Sequence, residues 1–226
     1  MAIHAASATT REVPRIAPYP LPGAEMLKFN RVDWAIDPRR AALFIHDAQN
    51  YWIRRFEDPG PMIANILRLR SAARRAGIPA IFSGGRYGDT REMRGLAYDM
   101  WGPGIGGYSG NRPDDAAIIP ELEMDERDLY IEKARYSAFF KTGLAARLAE
   151  RGIDQLILCG VYCHHGCLLT AADAYMRDIK VFFVADGSAD HNRAYHEMAL
   201  SIMADLCVKN VLTDEVCTAL GEGVGA

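Results

Sequence analysis

Short apolar runs alternate along the chain with longer segments in which apolar residues recur every three or four positions. The runs are Ala41–His46, Pro79–Ser83, Leu129–Lys133, Gln155–Cys159, Val181–Val184 and Val208–Leu212. Unbroken apolar runs of this length, of which 41–46 and 181–184 are the clearest, mark strands buried on both faces. Between them, Met62–Ala76 carries Ile63, Ile66, Leu67 and Leu69 on one side and arginines on the other, and Gly77 follows as a C-cap. Thr142 is placed to cap a helix reaching about Arg151. A further helix runs from about Cys167 to Arg177 with Leu168, Ala171, Ala172 and Tyr175 on one side. Arg193–Leu206 is another, and a short final helix follows Leu212. Strands alternating with helices predict an α/β fold: a single-domain, three-layer α/β/α arrangement around a mostly parallel sheet of about six strands.

Two segments break this rhythm. Residues 1–35 are rich in proline and alanine, show no period, and read as an N-terminal arm lying on the surface or on a partner subunit. The domain itself is expected over 36–226. Residues 84–115 form a long glycine-rich stretch without periodicity, and loops of this length inside compact domains are often binding loops or lids. No internal repeat or second domain is visible.

Composition narrows the function classes. The chain has 226 residues, half of them hydrophobic, and a formal net charge of −3. Its 26 basic residues are spread along the whole length, which argues against a nucleic-acid footprint. An anionic substrate must therefore be held by local groups. The five cysteines are odd in number and include no CxxC pair, so disulfides are not expected and a reducing cytoplasm fits. The first twenty residues lack the apolar core of a signal peptide, and no run is long enough to span a membrane.

In an open parallel sheet, ligands bind beyond the carboxyl ends of the strands. Asp47 follows strand one, Gly84, Gly85 and Arg86 follow strand two, and Lys133 ends strand three. Gly160, Tyr162, His164 and Gly166 follow strand four, and Asp186 and Asp190 follow strand five. A carboxylate, an ammonium group and a phenol thus gather at one edge. Each also has a plainer reading: Asp47 as a turn former, Lys133 as a solvated strand end, Tyr162 as a core aromatic, the glycines as turns. His164 and His165 lie between Cys163 and Cys167, but the four do not match a usual zinc spacing, and no metal is expected.

Six motifs make the pattern specific: IHDAQNYW (45–52), MWGPG (100–104), EKARYSAF (132–139), GVYCHHGC (160–167), DAYMRDIK (173–180) and VADGSAD (184–190), the last trailed by HEMAL (196–200). In order and with compatible spacing over about residues 12–215, they resemble the isochorismatase family, enzymes that cleave the enolpyruvyl ether of isochorismate in siderophore and phenazine pathways. The resemblance implies Asp47 as general acid, with Lys133 and Tyr162 positioning the substrate. It implies Arg94 as a carboxylate-binding arginine and Trp101 as a pocket wall. Trp52 is a further apolar neighbour of Asp47. The wider superfamily includes nicotinamidase-type amidohydrolases, whose nucleophilic cysteine stands where this chain has Gly166. Gly166 is expected to leave room there, and Cys167, one place on, is expected to be turned away.

The resemblance also implies no cofactor, a small-molecule carboxylate substrate, and a homodimer or higher homo-oligomer. Three positions depart from the family pattern. The glutamine of a TAQP-like segment is Gly85 here, with Arg86 as a possible compensating donor. The tryptophan of KWRYSAF is Ala134, and ADFS becomes Ala189-Asp190-His191-Asn192. The expectation is therefore an enolpyruvyl ether hydrolase acting on isochorismate or a close analogue such as 2-amino-2-deoxyisochorismate. The rival readings are a cysteine-dependent amidohydrolase using Cys163 or Cys167, and a non-catalytic member that binds a pathway intermediate or partner. Protonation of Asp47 is the open physical question: burial against Trp52 and Trp101 raises its pKa and Lys133 lowers it.

Overall fold

The computed structural model describes residues 15–107 and 112–221. Six strands form one sheet: β1 (Ala41–His46), β2 (Ala80–Gly84), β3 (Leu129–Glu132), β4 (Gln155–Val161), β5 (Lys180–Ala189) and β6 (Val208–Val211). All pair in parallel, in the order β3-β2-β1-β4-β5-β6. The order reverses between β1 and β4, so the crevice beyond their carboxyl ends is the topological switch point where open sheets of this order bind ligands.

The principal helices are α1 (Gly60–Ala76), α2 (Leu144–Glu150), α3 (Leu168–Tyr175), α4 (Arg193–Leu206) and α5 (Thr213–Ala219). Gly77 ends α1 at φ 70, a left-handed position that costs glycine nothing. Asn192 caps α4 by accepting the Tyr195 amide. The sheet separates two apolar cores. Side chains alternate across a strand, so the adjacent Phe182 and Phe183 go to opposite layers. One layer joins Phe82, Ile157 and Phe182 to Ile66 and Leu69 of α1. The other joins Phe44, Leu158 and Phe183 to Leu148 of α2 and Leu200 of α4. No helix among the described residues is long and apolar enough to cross a membrane.

Four details differ from the sequence-based expectation. Strand β5 runs on to Ala189, because its register with β4 shifts between Leu158 and Gly160 and then resumes. Gly160, at φ 112, supplies the irregular backbone. Gly143, not Thr142, stands at the N-cap position of α2; the Thr142 hydroxyl still accepts the Leu144 amide at 3.3 Å while donating to the Ala138 carbonyl at 2.5 Å. The stretch 84–115 contains two short helices, Arg91–Arg94 and Leu96–Trp101. Helix α3 begins at Leu168, after a wide turn over Cys163–Cys167.

Of the N-terminal segment, residues 1–14 lie outside the described residues, and the rest follows the surface of the domain. The Ile16 amide bonds the Arg55 carbonyl at 2.8 Å, the Tyr19 hydroxyl accepts the Asp190 amide at 2.7 Å, and Asn30 pairs with the backbone of Asn210.

The wide turn after β4 is packed against His46, the last residue of β1. The His46 ring is fully buried, with Nδ1 3.1 Å from the Val161 carbonyl and Nε2 3.1 Å from Thr170 Oγ1. A carbonyl only accepts, so Nδ1 carries the hydrogen and Nε2 receives the Thr170 hydroxyl. Burial pushes the His46 pKa down to about 4, which keeps the ring neutral. A Cβ on Gly166 would stand 2.3 Å from His46 Cε1. The space expected at Gly166 is therefore not open: the imidazole fills it. Gly166→Ala should cost about 1–3 kcal/mol of stability by overpacking. Combining it with His46→Val should recover part of that loss, with a coupling of about 1 kcal/mol or more in a denaturant-unfolding double-mutant cycle.

Candidate active site

Asp47 stands one residue beyond β1 with φ 50, in the left-handed region that aspartate tolerates better than most side chains. This backbone turns its carboxylate over the carboxyl end of the sheet. Oδ1 accepts the Ser83 hydroxyl at 2.8 Å, and Oδ2 accepts Lys133 Nζ at 2.8 Å. Lys133 follows β3; its amide donates to the Gly84 carbonyl at 2.9 Å, which continues the β2–β3 pairing and fixes where its side chain starts. Side-chain exposure is only 13% for Asp47 and 7% for Lys133, so the pair is almost removed from water.

Burial alone pushes the Asp47 carboxyl up. The neighbouring His46 and Lys133, with the hydrogen bonds from Lys133 and Ser83, outweigh it and hold the carboxyl below the usual carboxylate range. Lys133 is the partner in direct contact, with Nζ 2.8 Å from Oδ2. Asp47 is thus ionised in the empty site, which answers the question that sequence left open.

A cavity of about 320 Å³ opens over this pair, at the switch point of the sheet. It brings together Asp47, Lys133, Trp52, Gly85, Arg86, Arg94, Trp101, Tyr162 and Gly166, whereas Gly84, Gly160, His164, Asp186 and Asp190, which the sequence also places after strands, are not in its lining. Their states differ. Trp52 Nε1 and the Tyr162 hydroxyl are buried and have no hydrogen-bond partner among the described residues. Their rings meet edge-on with centroids 5.7 Å apart. Trp101 donates its indole N–H to the Tyr136 hydroxyl. Arg94 donates from Nε to the Gly102 carbonyl at 2.7 Å and has Asp89 at 3.9 Å, which leaves its guanidinium only partly committed.

Arg86 is not a free replacement for the family's glutamine. It pairs with Glu132 at 2.6 Å, and both side chains are about half exposed at the rim. Gly85 itself is roomy: among the described residues a Cβ there would meet only Ile105, at 3.6 Å. Its backbone is held from the other side by the buried Gln49. Gln49 accepts the Gly85 amide at 2.8 Å and donates to the Gly85 carbonyl at 2.7 Å.

Sequence reasoning missed Ser83, Gln49 and Arg135, and placed no pocket role on His165 or His191; Arg135 and both histidines line the cavity. Ser83 carried a readable signal as the polar residue near the end of a buried strand. The thiols are elsewhere. Cys163 and Cys167 are fully buried, outside the cavity lining, and burial pushes both thiols well up. His164, Asp190 and His191 bring possible metal-ligand atoms within 4.8 Å of one another. The Asp190 carboxylate is already engaged there, accepting His164 Nδ1 at 2.6 Å, the His164 amide at 2.8 Å and the His191 amide at 2.7 Å.

Comparison with known proteins agrees with this architecture. The isochorismatase domain family matches residues 41–215. The phenazine biosynthesis protein PhzD1 of Pseudomonas aeruginosa is 41% identical over 90% of this chain and 98% of its own length. The isochorismatase of Bacillus subtilis is 41% identical over 92% of this chain and 67% of its own length. The enterobactin synthase component B of Escherichia coli is 40% identical over 92% of this chain and 73% of its own length. Among solved structures, a cysteine hydrolase from Pseudomonas syringae pv. phaseolicola superposes with a TM-score of 0.77 at 22% identity, covering 90% of this chain and 98% of that one. That likeness speaks to the fold alone. With the fold, the switch-point cavity and 41% identity over nine-tenths of the chain in agreement, the protein belongs to the isochorismatase family.

Proposed function

We propose that this protein hydrolyses the enolpyruvyl ether of isochorismate or of a close analogue such as 2-amino-2-deoxyisochorismate, with Asp47 as general acid. The observation that carries this reading is the buried Asp47–Lys133 pair in a cavity whose lining includes no thiol among the described residues. A vinyl ether needs no nucleophile from the enzyme. A proton delivered to the terminal methylene carbon forms an oxocarbenium ion, water adds to it, and the hemiketal collapses to pyruvate and an alcohol. One well-placed acid contributes roughly 10²–10⁴-fold to such a reaction.

Asp47 is ionised in the empty cavity and must gain a proton before it can act. A dianionic substrate beside it, drawing on the charge of Lys133, raises its proton affinity. Arg94 and Lys133 are suited to holding the two substrate carboxylates. Water attack on the cation releases a proton that Asp47 takes back, which closes the cycle.

The relatives named for phenazine biosynthesis and enterobactin synthesis support a place in secondary metabolism. With this reading go a cytoplasmic location and a homodimer or higher homo-oligomer. Exposed Met176, just past α3, and Ile202 and Leu206 of α4 offer apolar surface for such an assembly. The boundaries proposed for the unit are an N-terminal arm to residue 35 and a hydrolase domain from 36. A thiol-dependent amidohydrolase is disfavoured by the burial of Cys163 and Cys167. A binding-only role is motivated by Gly85 and Ala134, which remove side chains from the cavity wall.

Pyruvate release from isochorismate, coupled to NADH oxidation by lactate dehydrogenase, tests the reading. The wild type should release pyruvate, and folded Asp47→Asn should lose at least 10²-fold in kcat; retained release by that variant would remove Asp47 from its role. The pH profile has a defined sign. The carboxyl is held low in the free enzyme, so its protonated fraction falls about tenfold per unit as pH rises above its pKa. Log kcat/KM should therefore decline with a slope near −1 from about pH 5.5 to 8, and a flat profile would contradict an acid that starts out ionised.

A further inference from the structure

The cavity has a second polar side that neither the proposed acid nor the carboxylate anchors use. Lys133 approaches Asp47 from the β3 side of the sheet. On the other side of Asp47 in the strand order lie His165, in the wide turn after β4, and His191, just past β5, and both line the cavity. Their rings stand 5.4 Å apart. Aromatic neighbours hold them: Trp101 is 5.4 Å and Tyr136 5.8 Å from His165, and Tyr162 is 4.6 Å from His191. No ring nitrogen of either histidine has a hydrogen-bond partner among the described residues. His164 differs, since it is bonded to Asp190 and stacked on Tyr195.

The chemistry of the other lining groups defines what these rings add. Arg86, Arg94, Lys133 and Arg135 are donors only. Asp47, the one carboxylate lining the cavity among the described residues, already accepts from Ser83 and Lys133. Beyond Asp47 and the tyrosine hydroxyls, which both donate and accept, His165 and His191 are the lining side chains among the described residues that can accept a hydrogen bond. Both histidines are kept neutral, chiefly by burial: His165 is pushed down to about 4, and His191 is lowered as well. A neutral imidazole offers one N–H and one lone pair. A carboxylate would pair better with the arginines, whereas an O–H or N–H donor on the substrate needs the lone pairs.

We propose that His165 and His191 form a specificity subsite that accepts a hydrogen bond from the hydroxyl or amino substituent on the substrate's ring, the group that distinguishes isochorismate from its 2-amino analogue. This rests on the enolpyruvyl ether reading above.

The experiment compares three compounds with wild type, His165→Phe and His191→Phe: isochorismate, 2-amino-2-deoxyisochorismate, and an analogue with hydrogen at that ring position. The wild type should favour at least one substituted compound over the unsubstituted one by roughly five- to tenfold in kcat/KM, the size of one neutral hydrogen bond. Whether the hydroxyl or the amine is preferred identifies the natural substituent. In each Phe variant that preference should shrink toward unity through KM, with kcat within about threefold. His→Gln at either position keeps an acceptor and should restore much of the preference, which a loss of packing alone would not permit. Phe variants that keep the wild-type ratio, or a wild type that does not distinguish the compounds, would overturn the proposal. Absence of pyruvate release from every compound would instead overturn the hydrolase reading. The same three compounds titrated by calorimetry into wild type and Phe variants would then decide the histidine subsite on binding alone.

Discussion

A carboxylate and an ammonium group 2.8 Å apart, both nearly excluded from water, set the terms for the rest of this structure. Removing each ion from water costs several kcal/mol, and the attraction between them repays it only with good geometry and additional hydrogen bonds. Here the geometry comes from the sheet. Pairing of Ile45 with Phe82, of Ser83 with Ile131 and of Gly84 with Glu132 brings the ends of β1, β2 and β3 level. The first residue past β1, the serine near the end of β2 and the first residue past β3 then meet at one point. A slip of one residue in either pairing would send one of these side chains to the wrong face and leave a buried charge alone.

The same junction explains why this member of the fold is suited to acid chemistry and not to thiol chemistry. The neutral ring of His46 occupies the volume into which a side chain at 166 would project. It also ties β1 to Val161 of β4 and to Thr170 of α3. The nearest cysteines face the cores, where burial favours the thiol over the thiolate. What remains at the switch point is a buried carboxylate with its electrostatic partner, the pair on which the proposed vinyl ether hydrolysis rests.

The cavity wall around this centre mixes small residues with polar and aromatic ones. Gly85 and Ala134 put little side-chain bulk on the cavity wall, and Gln49 holds the backbone of Gly85 from behind. Histidines stand on the opposite side of Asp47, among aromatic rings that restrict their orientation. Lys133 and the histidines thus lie on opposite sides of Asp47 in the lining of one cavity. Specificity in such a site depends on which substrate group leaves no polar atom unpaired.

Much of this was legible in the sequence, for a simple reason. Buried parallel strands must be apolar on both faces, so the inner strands were visible as short apolar runs, while the edge strands β3 and β6, which include Glu132 and Lys209, were placed by their alternation with the helices. Asp47 and Lys133 were legible because ligand-binding residues of such sheets sit at strand ends, and the motif spacing singled them out. The rest needed three dimensions. The strand order β3-β2-β1-β4-β5-β6 comes from pairing between segments far apart in sequence. The extension of β5 to Ala189 depends on an irregularity in its neighbour β4. The ionised state of Asp47 is a balance between burial and nearby charge, and both are set by residues that strand register places around it. The closed space at Gly166 and the pairing of Arg86 with Glu132 are packing outcomes. Hydrophobic pattern determines which segments are buried; only their packing together decides which polar groups meet, how dry they are and which of them remain available to a substrate.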